Sequence, residues 1–193
     1  MKDKFFIILT IITVLLGSAL LLFYNESLYT DHLNKVHANP TESIHISKQL
    51  IAYFLTNEYI SADIPQFTEN ENIHLLDVKK LMCAIFYLVP ISLVIWLFML
   101  TQVNLKRDLA ISGASLILIL WAGIIIPFPR LWYFFHLVFF PQGNWMFPAT
   151  SQLIQTYPPQ FFALMVQSFG LRSLSAALAL LATSGLVPKS RLV

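Results

Sequence analysis

The 193-residue chain is poor in charge and almost free of cysteine. Asp, Glu, Lys and Arg together make up 11% of it, against roughly 25% in water-soluble domains. Water is therefore not the main solvent for most of this chain. The formal net charge of +2 is too small to point to a nucleic-acid partner. Cys83 stands alone inside an apolar run. It has no partner within the chain, and there is no CxxC pair, which argues against thiol–disulfide chemistry. It reads as a small buried apolar residue. No G-x-S-x-G elbow, H-E-x-x-H helix or glycine-rich phosphate loop occurs, which disfavours a serine hydrolase or a zinc protease. Internal repeats and low-complexity tracts are also absent.

What the chain does have is hydrocarbon. Its apolar fraction is 57% and its mean hydropathy is +0.69. Four runs are long and apolar enough to cross ~30 Å of bilayer core, which takes about 20 residues. They are FFIILTIITVLLGSALLLF (5–23), LMCAIFYLVPISLVIWLFML (81–100), LAISGASLILILWAGIII (109–126) and a less uniform run at 168–187. Pro90 predicts a kink in the second. The first run is longer than the apolar region of about 7–15 residues in a signal peptide, and no A-x-A cleavage site follows it. It reads as an uncleaved anchor. The fold class expected is an all-α polytopic membrane protein, one domain over 1–193. Two long connections, 24–80 and 127–159, would form a cap.

The charges orient the spans. Lys2, Lys4, Lys106, Arg107, Lys189 and Arg191, against Asp3 and Asp108, fall on one side. The other side holds Lys35, Lys48, Lys79, Lys80 and Arg130 against Glu26, Asp31, Glu42, Glu58, Asp63, Glu69, Glu71 and Asp77. The basic side predicts cytoplasmic termini in the cell membrane, and the acidic side an extracellular cap.

The connections carry structural signals. Asn39-Pro40-Thr41-Glu42 reads as a capping box opening a helix near 40–56. Ile46, Leu50, Ile51, Phe54 and Leu55 would form its apolar face. LWYFFHLVFF is too apolar for an exposed loop, and Pro127, Pro129 and Pro141 bracket it too tightly for a span. It suits a re-entrant or interfacial segment.

All five histidines fall in these connections: His32, His37, His45, His74 and His136. His32 and His37, five apart, fit one helical face poorly, so a metal or haem site there is disfavoured. His74, in NENIHLLDVKKLM, lies three residues before Asp77 and shares its helical face. A neutral imidazole held by that carboxylate is a competent general base. A surface histidine near a helix start is the alternative. His136 lies in FFHLVFFPQGNW among Trp132, Tyr133, Phe134, Phe135, Phe139, Phe140, Trp145 and Phe147. Such rings can anchor an interface or wall a dry acyl-chain pocket. The topology puts His74 and His136 at similar depth on neighbouring helices. Arg172 is a charge embedded in the fourth run. It suits either a lipid carbonyl, phosphate or oxyanion, or snorkelling to the interface.

HLLDVKKL before the second span and FFHLVFFPQGNWMFP…LIQTYPPQFF after the third resemble the lipoprotein intramolecular transacylases of Gram-positive bacteria, over nearly the whole chain. The resemblance implies a diacylglyceryl-modified lipoprotein as substrate, met among membrane lipids. Its sn-2 acyl chain would pass to the amino group of the N-terminal cysteine, giving the lyso-form. It implies two catalytic histidines, which map by position onto His74 and His136, and no cofactor or metal. Asp77, Tyr133, Trp145 and Arg172 are supporting candidates on local chemistry, and Trp132 and Phe139 belong to the aromatic wall. A non-catalytic membrane assembly or binding subunit, and a histidine-dependent lipid hydrolase, are the competing readings.

Overall fold

The computed structural model describes residues 1–56 and 64–187. Glu58, Asp63, Lys189 and Arg191, counted above for orientation, lie outside the described residues. Eight helices and no strands occur among the described residues. Four are long and apolar enough to cross a membrane: α1 (Lys2–Phe23), α4 (Glu69–Met99), α5 (Leu105–Ile125) and α8 (Pro159–Leu186). Four short helices complete the set: α2 (Glu26–Val36), α3 (Thr41–Leu55), α6 (Phe128–Phe139) and α7 (Gln152–Thr156). Both α4 and α8 start well ahead of their apolar runs. A helix satisfies its own backbone, so it can pass from an aqueous to an apolar medium without interruption. Pro90 sits inside α4.

The residues sort into two compact units. The first comprises 1–21, 85–126 and 168–193 and contains most of the apolar helix length. Its interior is small. Phe6, Leu9, Met99 and Leu109 pack with Trp96 and Leu180, and the Phe6 and Trp96 rings stack at 5.7 Å. The Trp96 indole N–H donates to Thr10 Oγ1 at 2.8 Å, and that hydroxyl donates to the Phe6 carbonyl. Gly113 lets two helices meet closely: a Cβ there would lie 2.8 Å from the Ala177 carbonyl oxygen and 2.9 Å from Leu181 Cγ. Most large side chains of this unit, Val94, Phe98, Leu118, Trp121 and Ile124 among them, point outward. That is the arrangement expected where the solvent is lipid. Arg107 pairs with both Asp3, at 2.6 Å, and Asp108, at 2.8 Å. The pairing brings the starts of α1 and α5 to the same end of the unit.

The second unit comprises 22–84 and 127–167. It has a denser core of Leu33, Ile46, Leu50, Phe54, Phe67, Leu75, Tyr157 and Phe161. Leu55, assigned above to the apolar face of α3, is exposed instead. It is the last residue of that helix. The expected Asn39 cap is also absent. Pro40 occupies the N-cap without a side-chain bond, and Asn39 Oδ1 accepts from the Thr41 hydroxyl at 3.1 Å. The capping box forms elsewhere, at the start of α4. Thr68 N–H donates to Glu71 Oε2 at 2.7 Å, and Glu71 N–H to Thr68 Oγ1 at 3.4 Å, the reciprocal pairing of an S/T-x-x-E signature. Glu71 Oε1 accepts from Leu153 N–H in the first turn of α7 at 2.7 Å. One buried carboxylate thus satisfies two helix starts, where the dipole favours negative charge. Lys79 does the converse. Fully buried, it donates to the Tyr53 carbonyl at the end of α3, at 2.8 Å, and to Thr56 Oγ1. His37 Nε2 bonds the Thr156 carbonyl at 3.0 Å, and Ser47 Oγ the Tyr157 hydroxyl at 2.8 Å. These bonds fix α4, α7 and the residue after it against α2 and α3.

Candidate active site

His74 and His136 meet within the second unit. Their ring centroids are 6.1 Å apart with planes 26° from parallel, and both residues are buried, at 7% and 4% exposure. They lie 62 positions apart in the chain (136 − 74), so the encounter is made by packing alone. His74 belongs to the second turn of α4, in the polar part ahead of the apolar run. His136 belongs to the last turn of α6, which opens at Pro127 with Pro129 near its start. Proline suits the first turn of a helix because the N–H it lacks has no partner there.

Aromatic rings enclose both imidazoles. Phe140 lies 4.9 Å from His74 and 5.5 Å from His136 and is itself buried. Phe147 stands 5.7 Å from His74. Trp132 and Trp145 lie 4.3 Å and 4.6 Å from His136. Charge is poorly solvated in such surroundings. Burial, the neighbouring His136 and, in opposition, Asp77 together push His74 down to about 4. Burial also lowers His136, against the Trp132 carbonyl that favours its charged form. Both rings are therefore neutral at pH 7. His136 Nδ1 lies 2.8 Å from the Trp132 carbonyl oxygen. A carbonyl only accepts, so Nδ1 carries the proton and Nε2 keeps the lone pair.

Asp77 does not hold His74. Its Oδ2 accepts from Gln142 Nε2 and Asn144 Nδ2, each at 2.8 Å, and its Oδ1 from Lys80 Nζ at 3.1 Å. Burial raises the carboxyl pKa, but the bonds from Asn144, Lys80 and Gln142 outweigh it and keep the group ionised. His74 Nδ1 is buried without a hydrogen-bond partner. The positive end of a helix disfavours imidazolium, but it does not set the state of His74. His74 is the sixth residue of α4, past the first turn where that influence is felt. Gln142 and Asn144 were missed as site residues because spacing along α4 says nothing about a turn that arrives from residue 142 onward. The turn has its own mark, Gly143 at φ +80°, a backbone state glycine adopts without penalty.

The other expected residues divide. Trp132 supplies both a ring and the carbonyl that orients His136. Tyr133 is half exposed and meets Trp145 edge-on at 5.8 Å. Phe139 is half exposed and packs on Phe135 at 4.9 Å; Phe140, its neighbour in sequence, is the one that touches both imidazoles. Arg172 lies on α8 within the first unit and forms no ion pair among the described residues. His32 is buried near Phe161 at 6.3 Å.

Fold and site define a class: an all-helical integral membrane protein with two neutral histidines in an aromatic enclosure. Within that class, a family model for the lipoprotein intramolecular transacylase Lit matches residues 4–162, and the chain belongs to that family. It is similar in structure to the membrane-integral lipoprotein intramolecular transacylase Lit from Bacillus cereus, with a TM-score of 0.78 at 20% identity, over 99% of this chain and 98% of that one. Two structures of the Bacillus cereus protein with a histidine replaced by arginine or by alanine give TM-scores of 0.72 and 0.71 at 19% identity. They align with 95% and 98% of this chain and with 91% and 94% of theirs. No curated protein matches the sequence.

Proposed function

We propose that the chain moves the sn-2 acyl chain of a diacylglyceryl lipoprotein onto the amino group of its N-terminal cysteine, with His74 and His136 as the catalytic groups. The observation that carries this reading is the stacked, buried imidazole pair, in a chain of a lipoprotein transacylase family. The amine nitrogen attacks the ester carbonyl carbon, an amide C–N bond forms, and the bond from that carbon to the sn-2 oxygen breaks. His136 Nε2 takes the proton that the nitrogen sheds and returns it to the departing oxygen, so no proton is gained or lost. His74, kept neutral, donates an N–H to the developing oxyanion, as a neutral imidazole can. Both reacting groups belong to one substrate, so the enzyme's main work is alignment, where intramolecular proximity is worth several kcal/mol. The rings around the histidines shelter the ester from water, which favours transfer over hydrolysis.

The charge distribution supports an orientation in which the termini face the cytoplasm and the histidines the outer face of the cell membrane. There they would meet exported lipoproteins among membrane lipids.

The test is mass spectrometry of a purified diacylated lipoprotein incubated with the protein. Acyl migration leaves the total mass constant and moves one acyl group to the N-terminal fragment. Loss of a chain would indicate a hydrolase, and an unchanged fragment pattern a binding protein. Either result overturns the proposal. His74→Ala and His136→Ala should each lower conversion by at least about 100-fold. Near-normal conversion by either variant would remove that histidine from the reaction.

A further inference from the structure

We infer that the indole N–H of Trp145 is the second donor to the ester carbonyl oxygen, completing with His74 a two-donor oxyanion site; this rests on the transacylase reading above. Three observations lead there. First, Trp145 Nε1 is fully buried and has no hydrogen-bond partner. Indole nitrogen is a donor only, and buried donors are rarely left unpaired unless they serve a ligand or catalysis. Second, the ring is at the reaction centre, 4.6 Å from His136. Two adjacent residues on the same turn and the facing histidine all carry buried unpaired atoms: Asn144 Oδ1, Trp145 Nε1 and His74 Nδ1. Their clustering around two imidazoles marks a place built for a polar group that is bound only transiently.

Third, the indole is held. Its turn is clamped by two carboxamides donating to Asp77 Oδ2. A carboxylate cannot donate, so both amide nitrogens must face Asp77, which settles the orientation of Asn144 and turns its Oδ1 away. Tyr133 braces the indole edge-on at 5.8 Å. A donor fixed before the substrate arrives needs no reorganisation as charge develops, the condition under which oxyanion donors are most effective. The bond changes are those of the transfer already described. As the nitrogen adds, the carbonyl π electrons move to oxygen, and Trp145 and His74 hydrogen-bond to it until the sn-2 oxygen leaves. No proton passes to or from Trp145.

The experiment compares wild type, Trp145→Phe and a protein with β-(3-benzothienyl)alanine at position 145, which keeps the bicyclic shape but has sulfur in place of N–H. Each is given diacylated lipoprotein, and kcat and KM are read separately. The wild-type reaction must first proceed at constant mass; if it does not, the transacylase reading fails and not this inference. Given that reaction, the expected result is a kcat about 100-fold lower for both variants, with KM within about twofold of wild type. Wild-type kcat in either variant would overturn the inference. So would loss of activity in Trp145→Phe with full activity in the benzothienyl protein, because ring shape would then suffice. Should Trp145→Phe fail to fold, the benzothienyl comparison decides alone.

Discussion

At the scale of single residues, the site is governed by what burial does to ionisable groups. His74 is held near pKa 4 by burial and by its neighbour, while an unfolded chain would protonate it near 6.5. Above pH 6.5 both states are neutral and the shift has no effect on stability. As pH falls from 6.5 to 4, the unfolded state takes up a proton that the folded state refuses, so stability is lost across that window. Two and a half units correspond to roughly 3 kcal/mol at most. Thermal unfolding in detergent should show the midpoint falling between pH 6.5 and 4, and His74→Phe should remove much of the fall. An equal pH dependence in that variant would mean that other groups cause it. Activity has a different limit. The attacking amine has a pKa of ~8 and must be neutral to react, so the rate should rise with pH through the neutral range.

The residue scale also shows where sequence reading stopped. His74 and His136 were singled out from their surroundings, an imidazole three residues from a carboxylate and another among phenylalanines. Spacing along the helix singles out Asp77 three residues from His74, but its partners Gln142 and Asn144 come from a distant turn that helical spacing cannot reveal. Phe140 and Phe147 were visible only as members of an aromatic tract. Which ring of that tract touches an imidazole depends on the direction of α6 and the turn after it. Trp145 was named for its chemistry, but the lack of a partner for its N–H is a property of the folded chain.

At the scale of elements, apolar length made the four long helices legible, because lipid leaves a helix as the main way to satisfy backbone polar groups. The shorter elements were harder. Asn39 and Thr68 head similar signatures, N-x-x-E and T-x-x-E, and only the second is a capping box in the structure. What separates them is tertiary: Glu71 has a second helix start to satisfy, that of α7. Packing between long helices leads to a sharper expectation. In lipid, small residues allow close approach where no hydrophobic force drives association. Gly113→Ala places a Cβ against the Ala177 carbonyl, a backbone atom that cannot swing aside. Overpacking of this kind costs about 1–3 kcal/mol, and the unfolding midpoint in detergent should fall accordingly. Gly17→Ala, where a Cβ meets nothing within 4 Å, should be neutral or stabilising, since alanine is the better helix former. If the two variants unfold alike, the contact at Gly113 is not a close one in the membrane.

At the scale of the whole molecule, charge carries the expectation of which way the chain faces. Arg107 ties the start of α5 to Asp3 at the start of α1, so Lys2, Lys4, Lys106 and Arg107 gather at one end of the first unit. Basic residues close to span ends are retained on the cytoplasmic side. In the second unit the structure withdraws two charges from the count, since Glu71 and Lys79 are buried with partners. They are of opposite sign, so the acidic excess there is unchanged. The expectation is that Lys35, exposed on α2, reports the outer face, and Gln102, exposed in the turn before α5, the cytoplasm. With Cys83 replaced by serine to silence the single native thiol, Lys35→Cys should react with a membrane-impermeant maleimide on intact cells. Gln102→Cys should react only after permeabilisation. The reverse pattern would put the histidines on the cytoplasmic side, away from exported lipoproteins. It would remove the substrate from the proposed reaction even if both imidazoles proved essential.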